Sequence, residues 1–199
     1  SNTGANYTNG GAIYCKIKAD AVLNPGTEHY VVSQYGHQNL GTNNAAFSLS
    51  IGAQNGIFFM VRDDAGNDGS YTTNNFNVLD NQWHEIGVSY DATNHVISIT
   101  VDGVTEQSGT LATLGNIQSP NPIYLGKHWN PNWPHFYNGL IDEVKVWNTT
   151  VDFSTYDDCD TALSANCILN YKLEEGSGTT AYDLTSNGND GTINGAIYS

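Results

Sequence analysis

The sequence predicts an all-β chain folded as a two-sheet antiparallel β-sandwich of the jelly-roll kind. Three observations point there. Nearly every apolar run alternates with period two, the mark of strands buried on one face. Turn signals separate those runs at short intervals. Asn, Thr, Ser, Gly and Tyr are abundant while charged residues make up only 13% of the chain, which suits a turn-rich β-protein.

The first run, Ile13-Cys15-Ile17, follows the turn Asn9-Gly10-Gly11 and precedes a second turn at Asn24-Pro25-Gly26. Phe47-Leu49-Ile51 alternates in the same way. From Trp83 to Val104 the pattern is a hairpin: Ile86-Val88-Tyr90 and Ile97-Ile99-Val101 joined at Asp91-Ala92-Thr93-Asn94, with Asp102-Gly103 turning the chain again. Val144-Val146 marks a later strand, and Asn187-Gly188 a late turn. Only Ser154 to Ala165 has a composition that could hold a short helix. With no low-complexity linker and no full internal repeat, 199 residues form a single domain, 1–199, large enough to bury one core.

Twenty acidic residues face six basic ones, and Arg62 is the sole arginine, for a net charge of −14. Such a field repels phosphate backbones and excludes nucleic acid as a partner, while attracting divalent cations. No apolar run approaches the length of a membrane span, so no membrane insertion is expected. The start, Ser1-Asn2-Thr3-Gly4, shows no leader pattern and reads as a mature or trimmed terminus. Of three cysteines, Cys15 alternates with Ile13 and Ile17 and should be a buried thiol, whereas Cys159 and Cys167 sit close enough to close a short disulfide loop. Together these features favour a secreted or cell-surface setting.

Three segments carry a family resemblance. Trp83-His84-Glu85-Ile86-Gly87-Val88-Ser89-Tyr90-Asp91, followed by Ile99-Thr100-Val101-Asp102-Gly103, resembles a hairpin of laminin-G-like jelly rolls. Asn138 to Trp147 (N-G-L-I-D-E-V-K-V-W) is similar to their I-D-E-V strand. Tyr171 to Gly178, with Asp183 and Ser186-Asn187-Gly188-Asn189-Asp190-Gly191, is similar to their E-G-S-G and N-G-N-x-G element. The resemblance implies the concanavalin A-like lectin jelly roll of the laminin-G and pentraxin superfamily. In many members the E-G-S-G element opens the domain; here it comes last. Residues 168–199 therefore fill the first-strand position of this molecule, fill that of a neighbouring identical subunit, or begin a following repeat.

Asp142 is the first candidate for site chemistry. Strict alternation would put it on the face of Val144 and Val146, and a carboxylate there needs a partner. With so few basic residues a Ca2+ ion is the expected partner, and the resemblance also implies a structural calcium near this strand. Glu175, Asp183 and Asn187 are the expected companion ligands; the alternative is that Asp142 only accepts backbone N–H groups. The loop Asp63–Gly69 is a weaker acidic candidate.

The segment Lys127–Tyr137 holds two of the four tryptophans and two of the six histidines, stiffened by Pro131 and Pro134. Trp129, Trp133, His128, His135 and Asn130 supply flat apolar faces for stacking on sugar rings and polar groups for their hydroxyls. The alternative is a loop that folds its own aromatics over the sandwich edge. No nucleophile or metalloprotease motif occurs, and the adjacent carboxylates Asp142-Glu143 and Glu174-Glu175 should point to opposite faces. Asn6 and Asn148 begin N-x-T sequons and are glycan acceptors in a glycosylating host. The expected function is extracellular, non-catalytic binding of carbohydrate or a glycoprotein surface with a structural calcium. The rivals are a filament subunit exchanging its C-terminal strands and a polysaccharide-degrading enzyme.

Overall fold

The computed structural model describes residues 5–20, 28–34, 47–52, 55–73, 76–119, 121–128, 132, 135–157 and 165–198. The strands are β1 (Ala5–Asn6), β2 (Gly11–Ala19), β3 (His29–Gln34), β4 (Phe47–Ile51), β5 (Ile57–Arg62), β6 (Asp68–Thr72), β7 (His84–Asp91), β8 (Val96–Val101), β9 (Val104–Thr110), β10 (Gln118–Ser119), β11 (Tyr124–Leu125), β12 (Gly139–Trp147), β13 (Cys167–Tyr171), β14 (Thr180–Ala181) and β15 (Gly191–Thr192). One antiparallel sheet runs β13-β12-β2-β7-β8-β9 and the other β11-β3-β4-β5-β6, with small pairs β1-β10 and β14-β15. No α-helix occurs among the described residues. Of the stretch expected to be helical, Ser154–Asp157 is turn and coil, and most of the rest lies outside the described residues.

Alternation and register build the core together. Ile13, Val88 and Ile99 are aligned across β2, β7 and β8, as are Cys15, Ile86 and Val101, and all six are buried. From the opposite sheet, Leu49 and Phe59 are cross-strand partners facing the same core. The Asp102-Gly103 turn between β8 and β9 has φ of 50° and 78°, as a two-residue hairpin turn of the primed type requires. Cys15 is a buried thiol, as expected, and burial pushes it up to about 12.

Two regions extend beyond what alternation indicates. The N-terminal segment pairs through β1 with β10, and Tyr7 drives its ring into the core, edge-on to Phe47 at 5.0 Å, its hydroxyl donating to Gln34 Oε1 at 2.8 Å. After β12, the segment Val151–Tyr156 folds across the outer face of the six-stranded sheet, where Val151 and Phe153 pack with Ala12, Tyr14 and Trp147. Gly87 is required beneath it, because a Cβ there would lie 2.3 Å from the Phe153 ring.

β12 carries a bulge that changes the reading of its most conspicuous carboxylate. Ile141 opposes Ile17 and Asp142 opposes Lys16, yet the next pair is Lys145 with Tyr14, so one β12 residue is extra. Glu143 takes up the irregularity with φ of 48°. Facing parity therefore flips. Ile141 packs against the core, Val144 and Val146 are buried in it, and Asp142 lies with Lys16 on the other side.

Candidate ligand-binding site

The segment rich in aromatics leaves β11 and returns to β12 through a closed stem. Lys127 and Phe136 form an antiparallel bridge, Tyr137 N–H donates to Gly126 O at 2.8 Å, and His128 N–H donates to His135 O at 3.3 Å. The stem is fastened to the five-stranded sheet by Ser33 Oγ donating to Lys127 O (2.9 Å) and by a parallel bridge between Tyr30 and Phe136. His29 Nδ1 lies 2.9 Å from Phe136 O, so that nitrogen carries the hydrogen. The contacts from Ser33 and His29 join residues 94 and 107 apart in sequence, which is why only the fold brings them together.

Beneath the stem is the outer face of the five-stranded sheet. Register places Tyr124, Ser33, Ser48 and Met60 in one row and Tyr30, Ser50 and Phe58 in the next. The Tyr30 ring packs against His128 (4.6 Å) and His135 (6.4 Å between centroids), and its hydroxyl donates to Glu28. Lys127 Nζ sits 4.7 Å from the Tyr124 ring centre, a cation–π contact. His128 is buried, so it serves as part of the platform rather than as a free arm, while the Phe136 ring is 60% exposed. Two hydroxyls under this face, Ser48 Oγ and Ser50 Oγ, are buried without a hydrogen-bond partner.

Of the five residues expected to bind ligand, His128 and His135 meet at the stem; Trp129, Asn130 and Trp133 lie outside the described residues, between those two histidines in sequence. Lys127, at the start of the expected segment, completes the platform with Tyr30, Glu28 and Tyr124, which were not foreseen. For Glu28 and Tyr30 the sequence signal is the cluster Glu28-His29-Tyr30 at the start of a strand, which alternation alone does not distinguish from core.

The four expected calcium ligands are not gathered into one shell. Asp142 stands opposite Lys16, whose Nζ donates to Glu143 Oε1 at 3.1 Å and forms an ion pair with Glu85 Oε1 at 3.7 Å. The expectation that Asp142 lacks a basic neighbour is corrected by that lysine. So is the expectation that Asp142 and Glu143 point to opposite faces, since the bulge turns both toward Lys16. Asp183 is surrounded by donors: the N–H groups of Asn170 (3.0 Å), Thr185 (3.0 Å) and Asn189 (2.9 Å) and the Thr185 hydroxyl (2.7 Å). Asn187 bonds Thr185 Oγ1 and Cys167 O within the same loop, and Glu175 accepts from Tyr182 N–H and the Tyr198 hydroxyl. Among the described residues no three His, Cys, Asp or Glu side chains converge as metal ligands. The acidic loop resolves likewise: Asp63 is buried, and its carboxylate accepts from Asn67 and from Gly115 N–H. Burial would raise it, but these bonds outweigh burial and hold it below the ordinary carboxylate value.

Cys167 is a free thiol, its Sγ 3.1 Å from Leu169 O, so the expected bridge to Cys159 is not made; Cys159 lies outside the described residues. The Cys167 side chain packs instead against the cluster of Trp147 and Phe153. Of the two sequon asparagines, Asn6 is exposed and accepts from Thr8 N–H at 3.0 Å, and Asn148 is half-buried.

Comparison with known proteins gives the fold its relatives. A laminin-G-type family model, that of the concanavalin A-like lectin/glucanases superfamily, matches residues 6–152. No curated protein sequence matches the chain. Among solved structures, a candidate carbohydrate-binding protein from Bacteroides ovatus superposes with a TM-score of 0.69 at 16% identity, over 98% of this chain and 56% of that one. Domains LG4-5 of the mouse laminin alpha1 chain give 0.51 at 18% identity, covering 77% and 39%. A botulinum neurotoxin type C structure, described as interacting with two ganglioside molecules, gives 0.52 at 12% identity, covering 73% and 34%. This chain thus spans little more than half the length of the first of these and less of the others.

Proposed function

This chain belongs to the concanavalin A-like lectin/glucanases superfamily, and from that premise we propose that it is an extracellular, non-catalytic module that binds carbohydrate at the stem-closed loop 127–137. One observation carries the reading. Tyr30, His128 and His135 pack ring to ring under a hydrogen-bonded stem, directly flanking the sequence that holds Trp129, Asn130 and Trp133. A rigid base lets aromatic side chains stack on a pyranose with little loss of conformational freedom on binding. The ganglioside contact of the neurotoxin and the naming of the Bacteroides protein support a saccharide-type partner. Non-catalytic action is supported by the commitment of the local carboxylates, Glu28 to Tyr30 and Glu143 to Lys16. A glycan array is the test. Binding to at least one glycan class should fall ten-fold or more in Trp129→Ala or Trp133→Ala; binding that ignores both substitutions sinks the proposal.

A second reading has its own observation. β13 is an edge strand attached to β12 alone, and the family match ends before it. A strand so placed can be supplied by a neighbouring copy, which would make the protein an assembly subunit. Calcium we propose in a narrow form, as a peripheral stabilising ion drawn by the charge of −14, because Asp142 accepts from Glu143 N–H at 3.0 Å and Glu175 and Asp183 already hold donors of the tail. Light scattering and melting with and without EDTA, on the full chain and on one ending at Asn166, test both. A monomer whose melting point EDTA barely moves fits the binding module. Polymers that vanish with the tail establish the subunit, and a large EDTA effect demands a calcium shell in the segments outside the described residues.

A further inference from the structure

The outer face of the six-stranded sheet holds a buried lysine that ligand binding leaves unused. Past the bulge, Val144 and Val146 point into the core, so Lys145 points outward, toward Tyr14 and Tyr156. On β13, Leu169 and Tyr171 point inward, so Asn170 points outward as well, and register sets it directly opposite Lys145. We propose that this pair is a self-modification site: the Lys145 amine displaces the side-chain nitrogen of Asn170, and the resulting intramolecular isopeptide bond stitches β13 to β12.

The pairing is of the close kind. Asn170 N–H donates to Asp183 Oδ1 at 3.0 Å and Asn170 O accepts from Leu184 N–H at 2.9 Å, so both backbone groups face the tail rather than β12. Antiparallel partners that exchange no backbone bonds stand about 4.5 Å apart between Cα atoms, and their side chains lie nearer than those of the hydrogen-bonded pairs. The four-carbon lysine stem spans such a gap with slack.

The two reacting groups are both in unusual surroundings. Lys145 is 5% exposed, its Nζ 3.4 Å from the Tyr156 hydroxyl and 5.7 and 5.9 Å from the Tyr14 and Tyr156 ring centres. Burial pushes the amine below the ordinary lysine value, against the pull of Glu143, and so leaves more of it uncharged and nucleophilic. Across the ladder, Asn170 Oδ1 is closed to water and has no hydrogen-bond partner among the described residues. A donor for it has to come from within the protein. An Nζ that swings across the ladder donates to Oδ1 and comes to rest beside Cγ.

The step needs no added reagent. The Nζ lone pair adds to Cγ, forming the Nζ–Cγ bond, and collapse breaks Cγ–Nδ2. One Nζ proton leaves with Nδ2 as ammonia, and the Tyr156 hydroxyl beside Nζ is placed to relay it. An amine and an amide react very slowly when free in solution; holding them in contact within one fold supplies the effective concentration.

Intact mass spectrometry tests this on the full chain from a host without N-glycosylation, folded and incubated at neutral and mildly alkaline pH. The mass should lie below that of the sequence by one ammonia. Chymotrypsin, which cuts between the two residues at Trp147, Phe153 and Tyr156, should release a branched peptide holding both Lys145 and Asn170. Lys145→Arg and, separately, Asn170→Ala should keep the full mass and yield no branched peptide. Should either variant fail to fold, the wild-type digest decides alone. A wild-type chain at full sequence mass overturns the proposal. So does an ammonia loss that persists in Lys145→Arg, because Asn-Gly steps such as Asn187-Gly188 lose ammonia by closing a cyclic imide. Covalent multimers on a denaturing gel would put the bond between copies and overturn its place within one chain.

Discussion

The sandwich and the tail that follows Asn166 are held by different forces. In the sandwich, Ile13, Leu49, Ile86, Val88 and Ile99 are wholly removed from water, and each strand is flanked by others. In the tail, Leu169, Tyr171 and Ala181 reach the core, but Tyr182, Leu184 and Ile197 are 56%, 58% and 90% exposed. Its order comes from polar satisfaction: four donors fold around Asp183, and Asn189 Nδ2 donates back to Ile168 O at 2.9 Å. Apolar burial makes one region cooperative, whereas a single carboxylate organises most of the other. The expected consequence is that the loops beyond β13 open without the body, although β13 itself pairs with β12.

The strongest way to break that comparison is to damage the body. Leu49→Ala, deleting a fully buried side chain, should lower unfolding stability by about 3 kcal/mol and shift the whole denaturation curve. If only part of the structure responds, the body is not one unit. Asp183→Ala should cost less, about 2 kcal/mol, because it strands several backbone donors in a half-buried loop. Hydrogen exchange sharpens this one. The amides of Asn170, Thr185 and Asn189 should lose protection while that of Ile99 keeps it; equal loss at all four would mean that tail and body open together.

The smallest effect concerns the body's own polar lock. His84 Nδ1 lies 2.8 Å from Asp102 Oδ2 and its Nε2 3.0 Å from Asp80 Oδ1. Burial alone would lower the imidazolium, but the bonds to Asp102 and Asp80 outweigh it and raise His84 above the ordinary histidine value. A group raised on folding stabilises the native state below its unfolded value, about 6.5, and that contribution is lost as pH climbs through the folded value. Asp80 is held low, first by Gln82 N–H and then by His84, so its contribution is lost at the acid end. The melting temperature should therefore decline gently from pH 6.5 to mildly alkaline pH, and the slope should flatten in His84→Gln. An identical slope in that variant would remove the lock from the account.

Much of the body was legible because period-two alternation is a direct image of a sheet buried on one side. The hairpin from Trp83 to Val104 forms as expected, with its first turn at Ala92–His95, one residue later than Asp91–Asn94, and its second at Asp102-Gly103. Tyr7 was not legible, since a lone tyrosine in a polar terminus carries no period. The platform around Tyr30 was half legible: the aromatic loop is conspicuous in sequence, but its seat comes from a strand about a hundred residues earlier. Asp142 misled because alternation assumes a regular strand, and the bulge at Glu143 leaves no mark in the pattern around it.

That bulge also governs how this strand can be aligned and edited. Removing one residue between Asp142 and Val144 would not shorten a loop; it would erase the phase shift that lets Ile141 and Val144 share a side. One half of β12 would then turn inside out, exposing Val144 and Val146 or lifting Ile141 away. A gap placed there in an alignment with a relative is therefore a statement about which side chains face water.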